Sequence, residues 1–168
     1  LDKTFPTMDC SICILAPKMI ECAHHPNVKL LTYSEVKEVS GTVGNFKVKV
    51  LNKPRYVDET KCTGCGICAE NCPAEAPNEF DENMGTRKAI YMPFLQGVPR
   101  VMVIDKDNCL ECGLCEKVCQ PHAVNRGQEP EEIELDVGAI VVATGFDMFD
   151  PSVIPQYGYR RLKNVITA

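Results

Sequence analysis

The sequence contains no tryptophan, and aromatic residues make up only 7% of its 168 positions, so large rings contribute little to any core. No apolar run approaches the ~20 residues that a membrane-spanning helix requires, which argues against a membrane protein. The first residues, Leu1-Asp2-Lys3-Thr4-Phe5, include neither a basic region nor an apolar stretch of the kind a secretory signal needs. An initiator methionine is missing too, and the expectation is a segment of a longer cytoplasmic polypeptide. Lysine and arginine are scattered and the net charge is −5. Nucleic-acid binding draws on clustered cations that displace counterions from phosphate, so that class is set aside.

Cysteine is abundant, with 11 residues. An odd count without a secretory signal does not suit a disulfide framework. Their spacing suits metal. The chain matches itself at an offset of 47 residues: Val57-Asp58-Glu59-Thr60-Lys61-Cys62 falls on Ile104-Asp105-Lys106-Asp107-Asn108-Cys109, and Cys65, Cys68 and Cys72 fall on Cys112, Cys115 and Cys119. Each copy reads C-x2-C-x2-C-x3-C with a proline at its end, Pro73 or Pro121. This is the bacterial ferredoxin spacing, in which the fourth cysteine serves the other cluster. It assigns one [4Fe–4S] cluster to Cys62, Cys65, Cys68 and Cys119, and a second to Cys109, Cys112, Cys115 and Cys72.

The spacing has a geometric reason. Three thiolates two residues apart let a tight loop wrap three corners of a cube, and Gly64, Gly66 and Gly113 let backbone N–H groups approach the sulfurs. A short helix after the third cysteine then aims the last one at the neighbouring cluster, and proline ends it. Ile67, Ala69, Leu114 and Val118 are expected to pack on the clusters, or to serve as plain core. The competing reading is two structural zinc sites, since four cysteines also suit tetrahedral zinc. Zinc sites more often pair two C-x2-C knuckles across a longer spacer.

Between the motifs, Ala89 to Met92 and Arg100 to Ile104 read as strands separated by Pro93, Gly97 and Pro99, with the acidic run Glu79 to Glu82 as a solvated turn. The flanks differ in character. Val28 to Tyr33 is β-prone. Glu35 to Val39, a turn at Gly41 and Gly44, and the alternation Phe46 to Val50 predict a hairpin. Ile133 to Val137 alternates as well, after a linker at Glu129-Pro130-Glu131-Glu132. Ala139 to Ala143 reads as a buried strand leading into Thr144-Gly145-Phe146. That last stretch resembles the A-T-G turn of two-dinucleotide-binding flavoproteins, which implies that Ala143, Thr144 and Gly145 lie against FAD. The G-x-G-x-x-G phosphate fingerprint does not occur in the sequence, so FAD is expected in a longer parent rather than on this segment alone.

The expected fold is therefore α+β: a bacterial-type 2[4Fe–4S] ferredoxin domain (55–128) inserted between parts of a split, Rossmann-like FAD/NAD-binding domain (1–54 and 129–168). A further resemblance runs along nearly the whole chain. Phe5-Pro6-Thr7-Met8-Asp9-Cys10-Ser11-Ile12-Cys13, Ala16-Pro17-Lys18-Met19, Leu31 to Val36, Gly44-Asn45-Phe46 and the two cluster motifs resemble the A-type, iron–sulfur flavoprotein subunit of heterodisulfide reductase. That resemblance implies a cytoplasmic protein of methanogenic archaea and related anaerobes. Such a protein divides electron pairs at FAD between ferredoxin and the heterodisulfide of coenzymes M and B. It also implies partners: other heterodisulfide reductase subunits, an electron-donating hydrogenase or dehydrogenase subunit, and ferredoxin.

Three cysteines lie outside the motifs. Cys10 and Cys13 form a C-x2-C ahead of an expected short helix, roughly 16–23, stopped by Pro26. At a helix N-terminus they suit a redox dithiol, or ligands of a further cluster, or ordinary buried thiols. Cys22 is expected to be inert, and His24-His25 to be a solvated helix end. Three functions compete: an electron-transfer module, a Cys10/Cys13 disulfide reductase fed by the clusters, and a zinc-bound interaction module.

Overall fold

The computed structural model describes the backbone of residues 3–4, 9–145 and 149–167, and the side chains among these from residue 12 onward. Strand β1 (Lys3–Thr4) pairs antiparallel with β2 (Asp9–Cys10), which runs directly into helix α1 (Ser11–His24). The helix starts five residues ahead of the expected 16–23 span and carries Pro17 inside it, where the missing N–H removes one helical hydrogen bond. Cys13 therefore lies in the first turn of α1, not before it. The expected strand over Val28 to Tyr33 is not formed. Among the described residues no neighbouring strand receives its backbone groups, and Tyr33 adopts φ 57°, which breaks the extension.

The predicted hairpin is present, with β3 (Ser34–Thr42) and β4 (Asn45–Asn52) antiparallel. Alternation decides its faces. Val48 and Val50 are buried, while Lys47 and Lys49 point to the other side. A third strand, β9 (Glu131–Val137), completes the sheet in the order β3-β4-β9. It begins within the expected linker, at Glu131. The β4–β9 register matches apolar to apolar on one face (Phe46 to Val137, Val48 to Leu135, Val50 to Ile133). On the opposite face Lys47 meets Glu134 at 3.1 Å and Lys49 meets Glu38 at 2.6 Å. Exposed pairs of this kind are each worth little, but a one-residue slip between β4 and β9 would set Lys47 and Lys49 opposite apolar residues and turn one strand's apolar face to solvent.

Everything between Asn52 and Glu131 leaves the sheet and returns to it, so the cysteine-rich unit hangs from two hydrogen-bonded strands. Its own core is small: Val57, Ile90, Val101, Met102, Ile104 and Ala123, with Cys68 among them. The chain ends of the two repeats cross. Val57 bridges to Val124, and β7 (Ile90–Tyr91) pairs with β8 (Val103–Ile104). A small added hairpin, β5 (Glu75–Pro77) with β6 (Thr86–Lys88), projects between the first motif and β7. At its tip Glu79–Asp81 forms a short 3₁₀ helix that ends at Glu82. Two one-turn helices, α2 (Ile67–Glu70) and α3 (Leu114–Val118), pack side by side and start just before the third cysteine of each motif, earlier than expected. Each is preceded by a glycine in the left-handed region, Gly66 at φ 84° and Gly113 at φ 73°, a conformation that costs other residues energy.

The buried strand expected over Ala139 to Ala143 is also absent. The segment has no regular structure, and Val141 and Val142 are 91% and 76% exposed. A strand buried on both faces needs hydrogen-bonded neighbours and a layer above and below, and the described residues supply neither. The described residues show an α+β unit around the cysteine motifs, and among them the Rossmann-like arrangement is not shown. Among the described residues, no helix is long and apolar enough to cross a membrane.

Candidate iron–sulfur centre

Two small cavities of about 20 Å³ each lie within the cysteine-rich unit. Cys62, Cys65, Cys68 and Cys119 line the first, together with Val57, Met102 and Val118. Cys109, Cys112, Cys115 and Cys72 line the second, with Ile104, Leu114 and Arg126. Each cavity thus receives three thiols from one motif and the last thiol of the other. The crossing follows from the local fold. Each one-turn helix carries the third cysteine on its inner side, and its chain exits toward the far cavity before the proline.

Hydrogen bonds brace both loops. The Asp58 carboxylate accepts from the Thr60 N–H at 2.9 Å and hydroxyl at 2.6 Å, turning the chain into Cys62. In the second copy Asp105 accepts from the Asn108 N–H at 3.3 Å and its amide nitrogen at 2.9 Å, just ahead of Cys109. Backbone N–H groups also reach sulfur: Ala123 donates to Cys119 Sγ at 3.2 Å, and Glu111 donates to Cys109 Sγ at 3.4 Å. Donors of this kind stabilise negative charge on a thiolate.

Burial shapes the titration of the thiols. Burial pushes the Cys68 thiol up to about 11, with Cys62, Cys65 and Cys119 adding to the shift. Burial likewise raises Cys115, helped by Cys109, Cys112 and Cys72. The charges that each thiol feels are those of its own cavity, across both motifs. Bound iron reverses this tendency by stabilising thiolate.

The donor set fits a cubane better than a single ion. Among the described residues, no three His, Cys, Asp or Glu side chains converge as ligands of one metal ion. A zinc ion draws four sulfurs to ≈2.3 Å from one point, whereas a [4Fe–4S] cube takes one thiolate at each iron corner. Four soft sulfur donors spread round a largely apolar wall suit the cube.

Of the expected packing residues, Ile67 and Val118 line the first cavity and Leu114 the second, while Ala69 packs on the adjoining core. The remaining candidates lie elsewhere. Cys13 is exposed in α1, Cys22 is exposed beside Leu15, Met19 and Leu30, and the Cys10 side chain is outside the described residues. Neither Cys13 nor Cys22 lines either of these two cavities. Ala143, Thr144 and Gly145 are exposed, and Phe146 is outside the described residues. His25 is exposed past the helix end and accepts from the Asn27 N–H at 3.2 Å, in keeping with a solvated terminus. Sequence reasoning missed Arg126, Glu111 and Met102. Only the absence of a counterpart to Arg126 in the first repeat could have drawn attention to it.

Residues 61–124 match the family model described as a 4Fe–4S dicluster domain, a domain that carries two [4Fe–4S] clusters. Over its whole length the chain is 64% identical to the second A-type iron–sulfur subunit of CoB–CoM heterodisulfide reductase from Methanopyrus kandleri, covering 26% of that protein. It is 60% identical over 99% of its length to the A-type subunit of H(2):CoB–CoM heterodisulfide,ferredoxin reductase from Methanothermobacter thermautotrophicus, covering 25% of it. With the A-type subunit of ferredoxin:CoB–CoM heterodisulfide reductase from Methanosarcina mazei the identity is 51%, over 99% of the chain and 21% of that protein. The chain thus spans about a quarter of the length of these relatives. Residues 61–124 thus carry a 4Fe–4S dicluster domain, and nearly the whole chain is similar to one segment of A-type heterodisulfide reductase subunits.

Proposed function

We propose that this segment relays single electrons within a longer oxidoreductase polypeptide. Cys62, Cys65, Cys68 and Cys119 hold one [4Fe–4S] cluster, and Cys109, Cys112, Cys115 and Cys72 hold the other. The observation that carries the reading is the pair of cavities, each walled by four cysteines drawn from both motifs. When bound, each cluster supplies reversible one-electron chemistry. The residues of the chain hold the thiolates, exclude water and donate N–H groups to sulfur. The doubled C-x2-C-x2-C-x3-C spacing weighs against the zinc alternative.

The donor or acceptor on one side is FAD in the remainder of the parent polypeptide. On the other side stand further heterodisulfide reductase subunits. Ferredoxin and a subunit of a hydrogenase or dehydrogenase are the electron partners in a flavin-based bifurcating complex. The names of the relatives support the heterodisulfide and ferredoxin parts of this reading, since both words occur in them. The uncovered segment Ala139 to Gly145 is consistent with a strand and turn completed by the parent's flavin domain. The test is iron and acid-labile sulfide per chain after anaerobic reconstitution. Roughly eight of each, with an absorbance that dithionite bleaches, is the expected result. Zinc without sulfide would overturn the reading.

A further inference from the structure

The two cavities are matched in their sulfurs and unlike in their walls. Apart from its cysteines and Thr63, the first is lined by apolar side chains and proline. The second includes Arg126 and Glu111. Arg126 comes from beyond the second motif and folds back over its loop. Its Nη1 donates to the Glu111 carbonyl at 3.1 Å. A Cβ on Gly113 would lie 3.9 Å from its Nη2.

Glu111 explains why a clamp is needed. It stands at φ 53°, a left-handed conformation that carries a cost outside glycine. The repeat places Gly64 at the corresponding position of the first motif, with φ 64°. The second loop therefore holds its turn by contacts: Arg126 on the Glu111 carbonyl, and Lys106 on the Glu111 carboxylate at 2.7 Å. The same turn points the Glu111 N–H at Cys109 Sγ. Arg126 thus acts on its site twice, as a cation in the wall and as the brace of a donor to sulfur.

We infer that Arg126 sets the order in which the two clusters fill, raising the reduction potential of the one held by Cys109, Cys112, Cys115 and Cys72 above that of its neighbour. Reduction adds one electron, and so one negative charge, to a cluster. A guanidinium in the wall and an N–H on sulfur both favour the reduced form, whereas the wall around Cys62, Cys65, Cys68 and Cys119 holds no charged side chain, and the cations Lys88 and Arg100 line a separate groove that touches Cys65. Two carboxylates oppose the cation. Glu116 lies 3.5 Å from Arg126 Nε, and Glu111 is paired with Lys106. Both side chains are more than half exposed, where water screens them. An electron entering the pair therefore rests at the Arg126 side, which becomes the exit when the partner lies downhill.

This inference rests on the cluster assignment proposed above, and the test separates the two. The cluster-loaded chain is titrated with dithionite at fixed potentials, and both centres are followed by electron paramagnetic resonance. Two midpoints are expected. Arg126→Gln shifts the reduction equilibrium of the higher one about tenfold toward oxidised, about 59 mV for one electron, and leaves the lower in place. Arg126→Lys keeps the charge and most of the shift. Raising salt narrows the gap in the unsubstituted chain, because a charge at a partly exposed site is screened. That measurement stands even if Arg126→Gln sheds a cluster. A higher midpoint that ignores both Arg126→Gln and salt overturns the inference, as does a change confined to the lower centre. A chain that takes up no iron overturns both proposals, whereas eight irons with an unmoved midpoint overturn only this one.

Discussion

Arg87 on β6 reaches across to Asp105, the residue that turns the chain into the second motif, with 2.9 Å between Nη2 and Oδ2. Both side chains are largely buried, 14% and 15% exposed. Glu79 holds the same guanidinium through two bonds of 2.6 and 3.0 Å, and the Tyr91 ring lies 3.9 Å beneath it. The added hairpin is thereby tied to the loop that begins at Cys109. Removing one partner strands a buried charge, which typically costs about 3–5 kcal/mol. Arg87→Ala is expected to lose stability of that order in urea unfolding, and Asp105→Ala to shed the cluster beside Cys109 first. Iron falling from about eight toward about four would register the second effect.

The same network predicts an acid limit. The bonds from Arg87 hold Glu79 below its usual range. Burial alone would raise Asp105, but its bonds from Asn108 and Arg87 outweigh this and hold it low as well. As pH falls, the unfolded chain takes up these protons before the folded one does. The stabilisation is therefore full above the ordinary carboxylate values near ~4, and is lost as pH drops through the lower folded-state values. Urea midpoints should hold from neutral pH down to about 5 and fall below about 4. In Arg87→Gln the two carboxylates lose the bonds that hold them low, so stability at neutral pH should be lower and this part of the acid fall should shrink.

Cys72 lines the cavity of the second motif, so the crossed ligation proposed above would make it a residue of the distant site. Cys72→Ser should impair the cluster among Cys109, Cys112 and Cys115, and spare the one beside its own motif. Two midpoints should collapse to one, and the survivor should be the lower. Loss of the lower midpoint instead would mean that each motif closes on itself.

Two glycines of the first motif differ in surroundings, although both have positive φ. A Cβ on Gly64 would lie 2.8 Å from the Arg100 carbonyl oxygen, whereas one on Gly66 would meet nothing within 4 Å. Gly66→Ala should cost about 1–2 kcal/mol, the penalty of a left-handed residue. Gly64→Ala should cost more, because backbone cannot swing aside. Urea unfolding of the two variants side by side checks the order.

Much of this is legible in the sequence because the signals are local. The cysteine spacing, the Phe46 to Val50 alternation and the Ile133 to Val137 alternation each describe a loop or strand that its own residues favour. Val28 to Tyr33 and Ala139 to Ala143 mislead for the same reason. A short apolar run states a preference for extension, but it becomes a strand only when another strand receives its hydrogen bonds. The helix after Cys10 begins earlier than its residues suggest, because Pro17 reads as an early position, where proline is welcome, and here it sits in the interior.

By itself, the sequence determined that two like motifs with eight thiols build one iron–sulfur unit, since ligand type and spacing are properties of neighbouring residues. It also determined the faces of the sheet from which that unit hangs, through a period of two. Only the tertiary structure decided that β9 returns to β4, and that Arg126 enters one cavity while Met102 enters the other. Those contacts join residues far apart in the chain. They depend on how the loops close over one another, which no local spacing encodes.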